Sequence, residues 1–112
     1  MIYKILQQSE WQAFASAGSF VGAPVDLADG YIHFSDADQV IETARKHFAG
    51  LADLVLVAVD PAQLGDALKY EVSRGGALFP HYYGALKLAH VAWSKPLPLR
   101  ADGTHDFAGL LV

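Results

Sequence analysis

The chain contains no cysteine. Disulfide bonds, thiolate zinc sites and a cysteine nucleophile are therefore excluded. It also lacks any apolar run near the roughly 20 residues that a helix needs to cross a bilayer. Its first residues do not show the pattern of a signal peptide. We expect a cytoplasmic protein without a membrane partner.

Runs of basic residues are also missing, and the formal net charge is −4 over 112 residues. This balance disfavours electrostatic binding to a nucleic-acid backbone, so nucleic acid is not an expected partner. The chain has no Gly-rich phosphate loop of the Walker or Rossmann kind and no Gly-x-Ser-x-Gly elbow. Two histidines and a glutamate could supply metal ligands, but no pair has the i, i+4 spacing of a zincin helix. We therefore predict no metal site.

Hydrophobic residues make up 53% of the sequence, which is too many for a disordered chain. The length suits one domain with one modest core. Periodicity and turn residues predict about six short strands and two main helices, over residues 9–17 and 36–49, with a loop over 18–30. The apolar run Leu54–Val59 indicates a strand buried on both faces at the centre of a sheet. We predict an α+β domain.

The stretch around Ile32 is predicted to be one short strand, because apolar and polar residues alternate along it. Ile32 and Phe34 face the core on this interpretation. Tyr31, His33 and Ser35 lie on the opposite face, and Ser35 is also expected to begin the next helix as its cap. A phenol, an imidazole and a hydroxyl on one strand face can form a small-ligand site.

A second candidate segment follows the buried central strand. The strand predicted over Leu68–Ser73 has Glu71 on its polar face. A short loop with Arg74 and two glycines comes next. The following residues, Leu78–Gly84, are rich in aromatic rings and are punctuated by proline and glycine, so we predict a loop that carries His81.

Three residues are the candidate catalytic groups: His33, His81 and Glu71. His33 could hydrogen-bond a ribose hydroxyl or act as a general base, or else be a partly buried histidine bonded to a backbone carbonyl. His81 could share the catalytic role, or simply pack among aromatic rings and fix its loop. Glu71 could be catalytic, or a solvated surface carboxylate.

The candidate binding residues flank these groups: Tyr31, Ser35, Arg74, Tyr82, Tyr83 and Gly84. Tyr82 and Tyr83 could stack on a base or on a nicotinamide-like ring. Such rings also bury area and anchor loops, so this alternative stays open. The residue pattern alone does not decide whether these positions meet in the fold.

The motifs Ile32-His33-Phe34-Ser35 and Phe79-Pro80-His81-Tyr82-Tyr83-Gly84 resemble those of a small bacterial family, domain of unknown function 952. The resemblance covers nearly the whole chain, from Ile2 to Pro96. Lys4 is a departure, because the family often has a histidine after the tyrosine at this point.

This family is similar to the ADP-ribosyltransferase fold. The resemblance implies one domain over residues 1–112, with a split, bent, mostly antiparallel sheet and a cleft that holds NAD. His33 then matches the histidine of a His-Gly-Ser/Thr motif that contacts a ribose, and Phe34 stands where that motif has glycine. His81 matches the second histidine of a variant resembling RNA 2′-phosphotransferases. Glu71 precedes His81, whereas the fold's glutamate lies on a late strand.

These observations leave three main functional hypotheses open, with a metal hydrolase as a distant fourth. The first is a transferase-like protein that binds NAD or another nucleotide bearing ADP-ribose. The second is a non-catalytic small-ligand-binding module with a degenerate cleft. The third gives His33 and His81 purely structural roles. The first two require both imidazoles to lie at one pocket.

Overall fold

The computed structural model describes residues 1–111, apart from the side chain of Arg74, and Val112 at the end of the predicted domain lies outside it. The described chain forms these elements in order: β1 (Ile2–Gln7), α1 (Gln8–Ala17), β2 (Ser19–Phe20), α2 (Pro24–Asp29), β3 (Ile32–His33), β4 (Ser35–Asp36), α3 (Val40–His47), β5 (Leu54–Val59), β6 (Leu68–Val72), β7 (Leu78–Tyr82), β8 (Leu86–Lys87) and β9 (Val91–Leu97).

The larger sheet has the strand order β4-β1-β5-β9, and each neighbouring pair is antiparallel. Every residue of β5 is buried, which confirms the central strand predicted from its apolar run. Alternate side chains of β1 and β5 enter two core clusters. One cluster contains Phe14 of α1, and the other contains Val40 and Ala44 of α3. The two longer helices therefore pack on opposite faces of this sheet.

A three-stranded sheet, called the smaller sheet below, has the order β3-β7-β6 and is also antiparallel, and β2 and β8 form a separate two-stranded ladder. Its register places His33 directly opposite His81, which in turn lies opposite Lys69. The prediction of a loop around His81 was wrong, because residues 78–82 form the central strand of this sheet. Pro80 is tolerated there because its missing N–H would face Phe34, where the ladder with β3 has already ended, while its carbonyl accepts a hydrogen bond from the Phe34 N–H at 2.9 Å.

The stretch predicted as one strand around Ile32 is divided between the two sheets. β3 belongs to the smaller sheet and β4 to the larger one, and Phe34 lies buried at the crossing. Ser35 is therefore in β4 and does not cap a helix, since α3 begins only at Val40. The predicted core positions Ile32 and Phe34 are both buried.

The region predicted as a loop over residues 18–30 contains the short helix α2. Pro24 occupies its first turn, where a proline is well tolerated. The Asp26 carboxylate accepts a hydrogen bond from the Ala23 N–H at 2.8 Å, which satisfies one of the free donors at the helix start. The resulting fold is α+β, as predicted, with helices on a split antiparallel sheet.

The helices of residues 1–111 are short, and α1 has only ten residues. None of them has both the length and the apolar character that crossing a membrane requires.

Candidate functional site

The rings of His33 and His81 lie side by side on the smaller sheet. Their centroids are 5.5 Å apart, and the two planes are inclined at 70°. The Tyr31 ring lies over both histidines, with centroid distances of 4.6 Å to His33 and 4.1 Å to His81. Tyr83 extends the cluster, at 5.2 Å from Tyr31. The two histidine segments, which are far apart in sequence, therefore meet at one place.

His33 is held between two carboxylates of α2. Its Nδ1 lies 2.6 Å from Asp26 Oδ1, and its Nε2 lies 2.9 Å from Asp29 Oδ2. Asp26 and Asp29 are three residues apart and so share one face of the helix. Only the protonated ring can donate from both nitrogens at once. The side chain remains 28% exposed, so a ligand can reach it.

Asp26 is the buried anchor of this arrangement. It accepts hydrogen bonds from the N–H of His33 at 3.1 Å and of Ala23 at 2.8 Å, as well as from the His33 ring. Burial on its own would raise the pKa of Asp26. Hydrogen bonding from His33, the charge of Lys4 and the backbone donors outweigh burial and lower that pKa from 3.8 to about 2.

Lys4 supplies the charge that balances Asp26. It projects from β1 on the same face as Ile2 and Leu6, and is only 8% exposed. Its Nζ lies 3.0 Å from Asp26 Oδ2 and donates to the His33 carbonyl at 2.9 Å. Burial lowers the pKa of Lys4, and the neighbouring Asp26 opposes that shift. This lysine therefore ties β1, α2 and β3 together behind the His33 ring.

His81 is paired with Glu71 from the neighbouring strand. Its Nδ1 lies 2.8 Å from Glu71 Oε1, which also accepts a hydrogen bond from the Tyr83 hydroxyl at 2.6 Å. The hydrogen bonds from Tyr83 and His81 lower the pKa of Glu71, so the carboxylate is an acceptor here. The same hydrogen bond from the phenol raises the pKa of Tyr83 to about 12.

The second ring nitrogen of His81 has a different environment. Nδ1 faces the Glu71 carboxylate, and the neutral tautomer that carries its proton on Nδ1 has a free lone pair on Nε2. This atom is buried and has no hydrogen-bond partner among the described residues. The side chain is only 3% exposed, because Tyr31 covers it. A buried acceptor without a donor is a feature that a bound hydroxyl would satisfy.

The described part of the site carries more negative than positive charge. Asp26, Asp29 and Glu71 supply three carboxylates, whereas Lys4 forms an ion pair with Asp26 and Lys69 acts on Glu71 through its charge. Asp29 and Glu71 lie at the exposed side, while Asp26 is buried with Lys4. The accessible part of the site therefore suits a neutral polar or cationic ligand group.

A groove of about 260 Å³ adjoins the cluster. Tyr31 and Asp26 belong to both the groove and the histidine cluster, and the remaining wall includes Leu27, Tyr82 and Gly84. The histidine rings themselves do not line this groove, so a ligand in it reaches His81 only when the Tyr31 ring moves. A Cβ at Gly84 would lie 3.1 Å from the Tyr82 ring, which would have to shift by a few tenths of an ångström. A larger hollow of about 370 Å³, between residues 7–9 and 51–54, contains none of the predicted site residues.

Most of the predicted site residues lie together. Five of them share direct contacts within the cluster, and two line the adjoining groove: His33, His81, Glu71, Tyr31, Tyr83, Tyr82 and Gly84. Ser35 does not reach the site, because the chain enters the larger sheet at β4. Its buried hydroxyl bonds instead to Thr43 of α3 at 2.9 Å. The side chain of Arg74 lies outside the described residues.

The sequence analysis missed Lys4, Asp26 and Asp29. The one local signal was Lys4 itself, a charged residue within the apolar strand Ile2–Leu6, which implies a buried partner. Asp26 and Asp29 lay in a stretch predicted as a loop, so their common helical face was not visible. Residues 1–111 contain no group of three or more metal-ligand side chains placed to hold an ion.

The fold and site define a small α+β protein with two histidine–carboxylate pairs at the meeting of two sheets. Residues 5–94 match the family model described as "Protein of unknown function (DUF952)". The match spans well over half of the chain, and the chain therefore belongs to this family.

Solved structures of protein CC0527 from Caulobacter crescentus share this fold. The X-ray structure is 50% identical, with 98% of this chain and 96% of that chain covered and a TM-score of 0.94. A double mutant of CC0527 gives 48% identity with the same coverage and TM-score. The solution NMR structure gives 50% identity, coverage of 96% and 92%, and a TM-score of 0.87. No curated protein matches the chain.

Proposed function

We propose that the protein binds NAD, or another nucleotide bearing ADP-ribose, at the His33–His81 pair and acts as an ADP-ribosyltransferase-like enzyme. The observation that carries this proposal is the buried Nε2 of His81. It is an acceptor without a donor, 5.5 Å from a second histidine ring in a negatively charged site. The resemblance of the two histidine motifs to the ADP-ribosyltransferase fold supports the same ligand class.

A ribose hydroxyl suits the free nitrogen of His81. Leaving a buried acceptor unpaired costs about 1–3 kcal/mol, and a ligand O–H that reaches it recovers this energy. Tyr31 covers His81 at 4.1 Å, so its ring rotates aside when the hydroxyl enters. The displaced phenol then remains beside the groove, where it can stack on the nicotinamide ring.

The charge of the site matches the nicotinamide end of NAD. The pyridinium is a cation, and the accessible carboxylates of Asp29 and Glu71 favour a cation. In the proposed reaction the bond from ribose C1′ to the nicotinamide nitrogen breaks, and its electron pair leaves with neutral nicotinamide. An acceptor O–H, from water or a target group, bonds to C1′ and gives its proton to the accessible carboxylate of Asp29, because the ribose hydroxyl occupies Nε2 of His81. The carboxylates stabilise the oxocarbenium-like transition state.

A binding module without turnover is the second candidate, and the backbone at Phe34 favours it. The Phe34 N–H already donates to the Pro80 carbonyl at 2.9 Å, so it is not free to hold a carboxamide. Strand β9 carries no carboxylate that would match the late glutamate of the resembling fold. A module of this kind binds the nucleotide and releases it unchanged.

Calorimetric titration with NAD, together with chromatographic detection of nicotinamide, distinguishes the two candidates. We expect saturable binding that is lost in His33→Ala and His81→Ala and kept in His47→Ala, an exposed residue of α3. If the enzyme proposal holds, His81→Ala also lowers nicotinamide release by about 10²-fold, because the ribose is no longer held in position. Binding without release supports the module. If NAD shows no saturable binding up to about 1 mM, a concentration that detects even weak ligands, both the enzyme and the binding-module candidates are rejected.

A further inference from the structure

Strand β6 forms one edge of the smaller sheet. The position of Pro80 on the neighbouring strand β7 shows which N–H and C=O groups of β6 point towards β7 and which point outward. Tyr70 lies opposite Pro80, which has no N–H and whose carbonyl bonds to Phe34 on β3. Tyr70 and Pro80 are therefore not a hydrogen-bonded pair. The bonds from Tyr83 N–H to Ala67 and from Ser73 N–H to the Ala77 carbonyl fit the same alternation.

It follows that the N–H and C=O groups of Tyr70 and Val72 point away from β7. Leu68 directs its carbonyl the same way, while its N–H donates to the Gly65 carbonyl. Among the residues and side chains that the structure describes, which exclude the Arg74 side chain, no hydrogen bond satisfies these outward groups. Tyr70 is 46% exposed and Val72 is 69% exposed. An open edge with exposed apolar side chains is a ready template for another strand.

We propose that this edge pairs with β6 of a second copy of the chain, antiparallel about Tyr70, to form a two-fold symmetric dimer. Such symmetry requires a strand that complements itself. Centring the pairing on Tyr70 places Tyr70 opposite Tyr70 of the second copy and Leu68 opposite Val72. Both pairs lie at hydrogen-bonding positions of the ladder. Each Tyr70 N–H therefore donates to the Tyr70 carbonyl of the other copy, and each Val72 N–H donates to a Leu68 carbonyl.

The side chains of β6 fit this register on both faces. On one face Lys69 lies opposite Glu71 of the second copy, and the symmetry produces this opposite-charge pair twice. On the other face Tyr70 meets Tyr70, and Leu68 meets Val72. When two copies of the segment Leu68–Val72 pair in opposite directions, each charged residue therefore meets the opposite charge and each apolar residue meets an apolar one. A shift by one residue would put charged groups against apolar ones.

The dimer would also reach the histidine site. Glu71 Oε1 already accepts hydrogen bonds from His81 and Tyr83. Lys69 of the second copy would approach the other carboxylate oxygen and add a cation beside the His81 pair. This inference does not rest on the proposed nucleotide chemistry, and its tests do not use a ligand.

Sedimentation equilibrium tests the dimer in the full chain. The paired strands are short and bury less than a standard interface, so we expect a reversible dimer with a dissociation constant in the micromolar to millimolar range. Backbone exchange gives the second readout: the Tyr70 and Val72 amides should become protected as protein concentration rises. A chain that remains monomeric at about 1 mM overturns the proposal and leaves the edge to a different strand.

Variants test the register. Tyr70→Pro removes an outward N–H that the monomer does not use, and should weaken the dimer at least about tenfold.

Lys69→Glu and Glu71→Lys each place like charges opposite one another and should abolish self-association. Mixing these two variants restores both pairs, so heterodimers should form. Lys46→Glu on α3 is the matched charge control and should dimerise normally. Heterodimers that fail to form, or an equal loss in Lys46→Glu, would overturn the register.

Discussion

At the scale of single residues, the buried pair of Lys4 and Asp26 determines the orientation of His33. Asp26 accepts from the His33 ring and backbone, and Lys4 donates to the His33 carbonyl. Neither residue has to touch a ligand to affect the site. They act as positioning residues, because the imidazole can turn only if these contacts break.

We predict that Asp26→Asn destabilises the fold by about 3 kcal/mol at neutral pH, since it leaves the buried Lys4 ammonium without its counter-ion. Urea unfolding measures the change. Asp66→Asn, at an exposed position, is the control and should stay within about 0.5 kcal/mol of the wild type. Equal stability of Asp26→Asn and the wild type would show that the pair contributes nothing.

The Asp26 carboxylate also makes the free energy of unfolding depend on pH in the acid range. The pKa of Asp26 is lowered from 3.8 to about 2 in the folded protein. A lowered pKa contributes stability that is present above pH 4 and is lost as the pH falls from 4 towards 2, here about 2 kcal/mol. Asp26→Asn should therefore show a shallower loss of stability in this window. An identical pH profile for variant and wild type would contradict the assignment.

Tyr83 gives a direct test of the Glu71 contact. The hydrogen bond to Glu71 raises the pKa of Tyr83 to about 12. In Glu71→Gln the acceptor is neutral, so the Tyr83 pKa should fall towards its ordinary value of 10.0. Carbon-13 NMR of labelled tyrosine follows this residue separately from the others. A Tyr83 pKa that does not change in Glu71→Gln would mean that the contact is absent in solution.

At the scale of elements, α2 and the loop before it hold the two carboxylates against His33. Gly22 permits the close packing of that loop, because it has a φ of +134° and a Cβ there would lie 2.6 Å from the Asp26 Cβ. Only glycine adopts this backbone region without strain.

We predict that Gly22→Ala costs about 2–4 kcal/mol, from backbone strain and overpacking together. Gly109→Ala is the matched control, since Gly109 has a φ of +73° but nothing within 4 Å of the added Cβ. It should cost only about 1–2 kcal/mol. Thermal or urea unfolding compares the two, and equal costs would show that contact with Asp26 does not matter.

Sequence patterns predicted some elements well for a physical reason. The apolar run of β5 is buried on both faces, and the alternation in β6 places Glu71 on the polar face. The stretch around Ile32 was harder, since alternation continues through Phe34 while the backbone passes from one sheet to the other. No local pattern reports which strand becomes the hydrogen-bond partner. The prediction of a loop in place of α2 was wrong because the start of this helix, Ala23-Pro24, lacks the polar cap residue that marks a helix in the sequence.

At the scale of the whole molecule, the site lies where the two sheets meet. β1 contributes Lys4, α2 contributes Asp26, and β3 and β7 contribute the two histidines. The histidine candidates were recognisable from their residue type and polar surroundings. Their carboxylate partners were not, because the Lys4–Asp26 contact spans 22 residues and exists only in the folded chain.

The most direct test of the histidine site is nitrogen-15 NMR of the imidazole rings during a titration with NAD. Without ligand, His81 should show a protonated Nδ1 and an unprotonated Nε2. On addition of NAD, we predict that the His81 Nε2 and His33 signals shift together along one saturable curve, while the exposed His47 signals remain unchanged. Ring signals of His33 and His81 that stay fixed up to about millimolar NAD would contradict ligand binding at this pair.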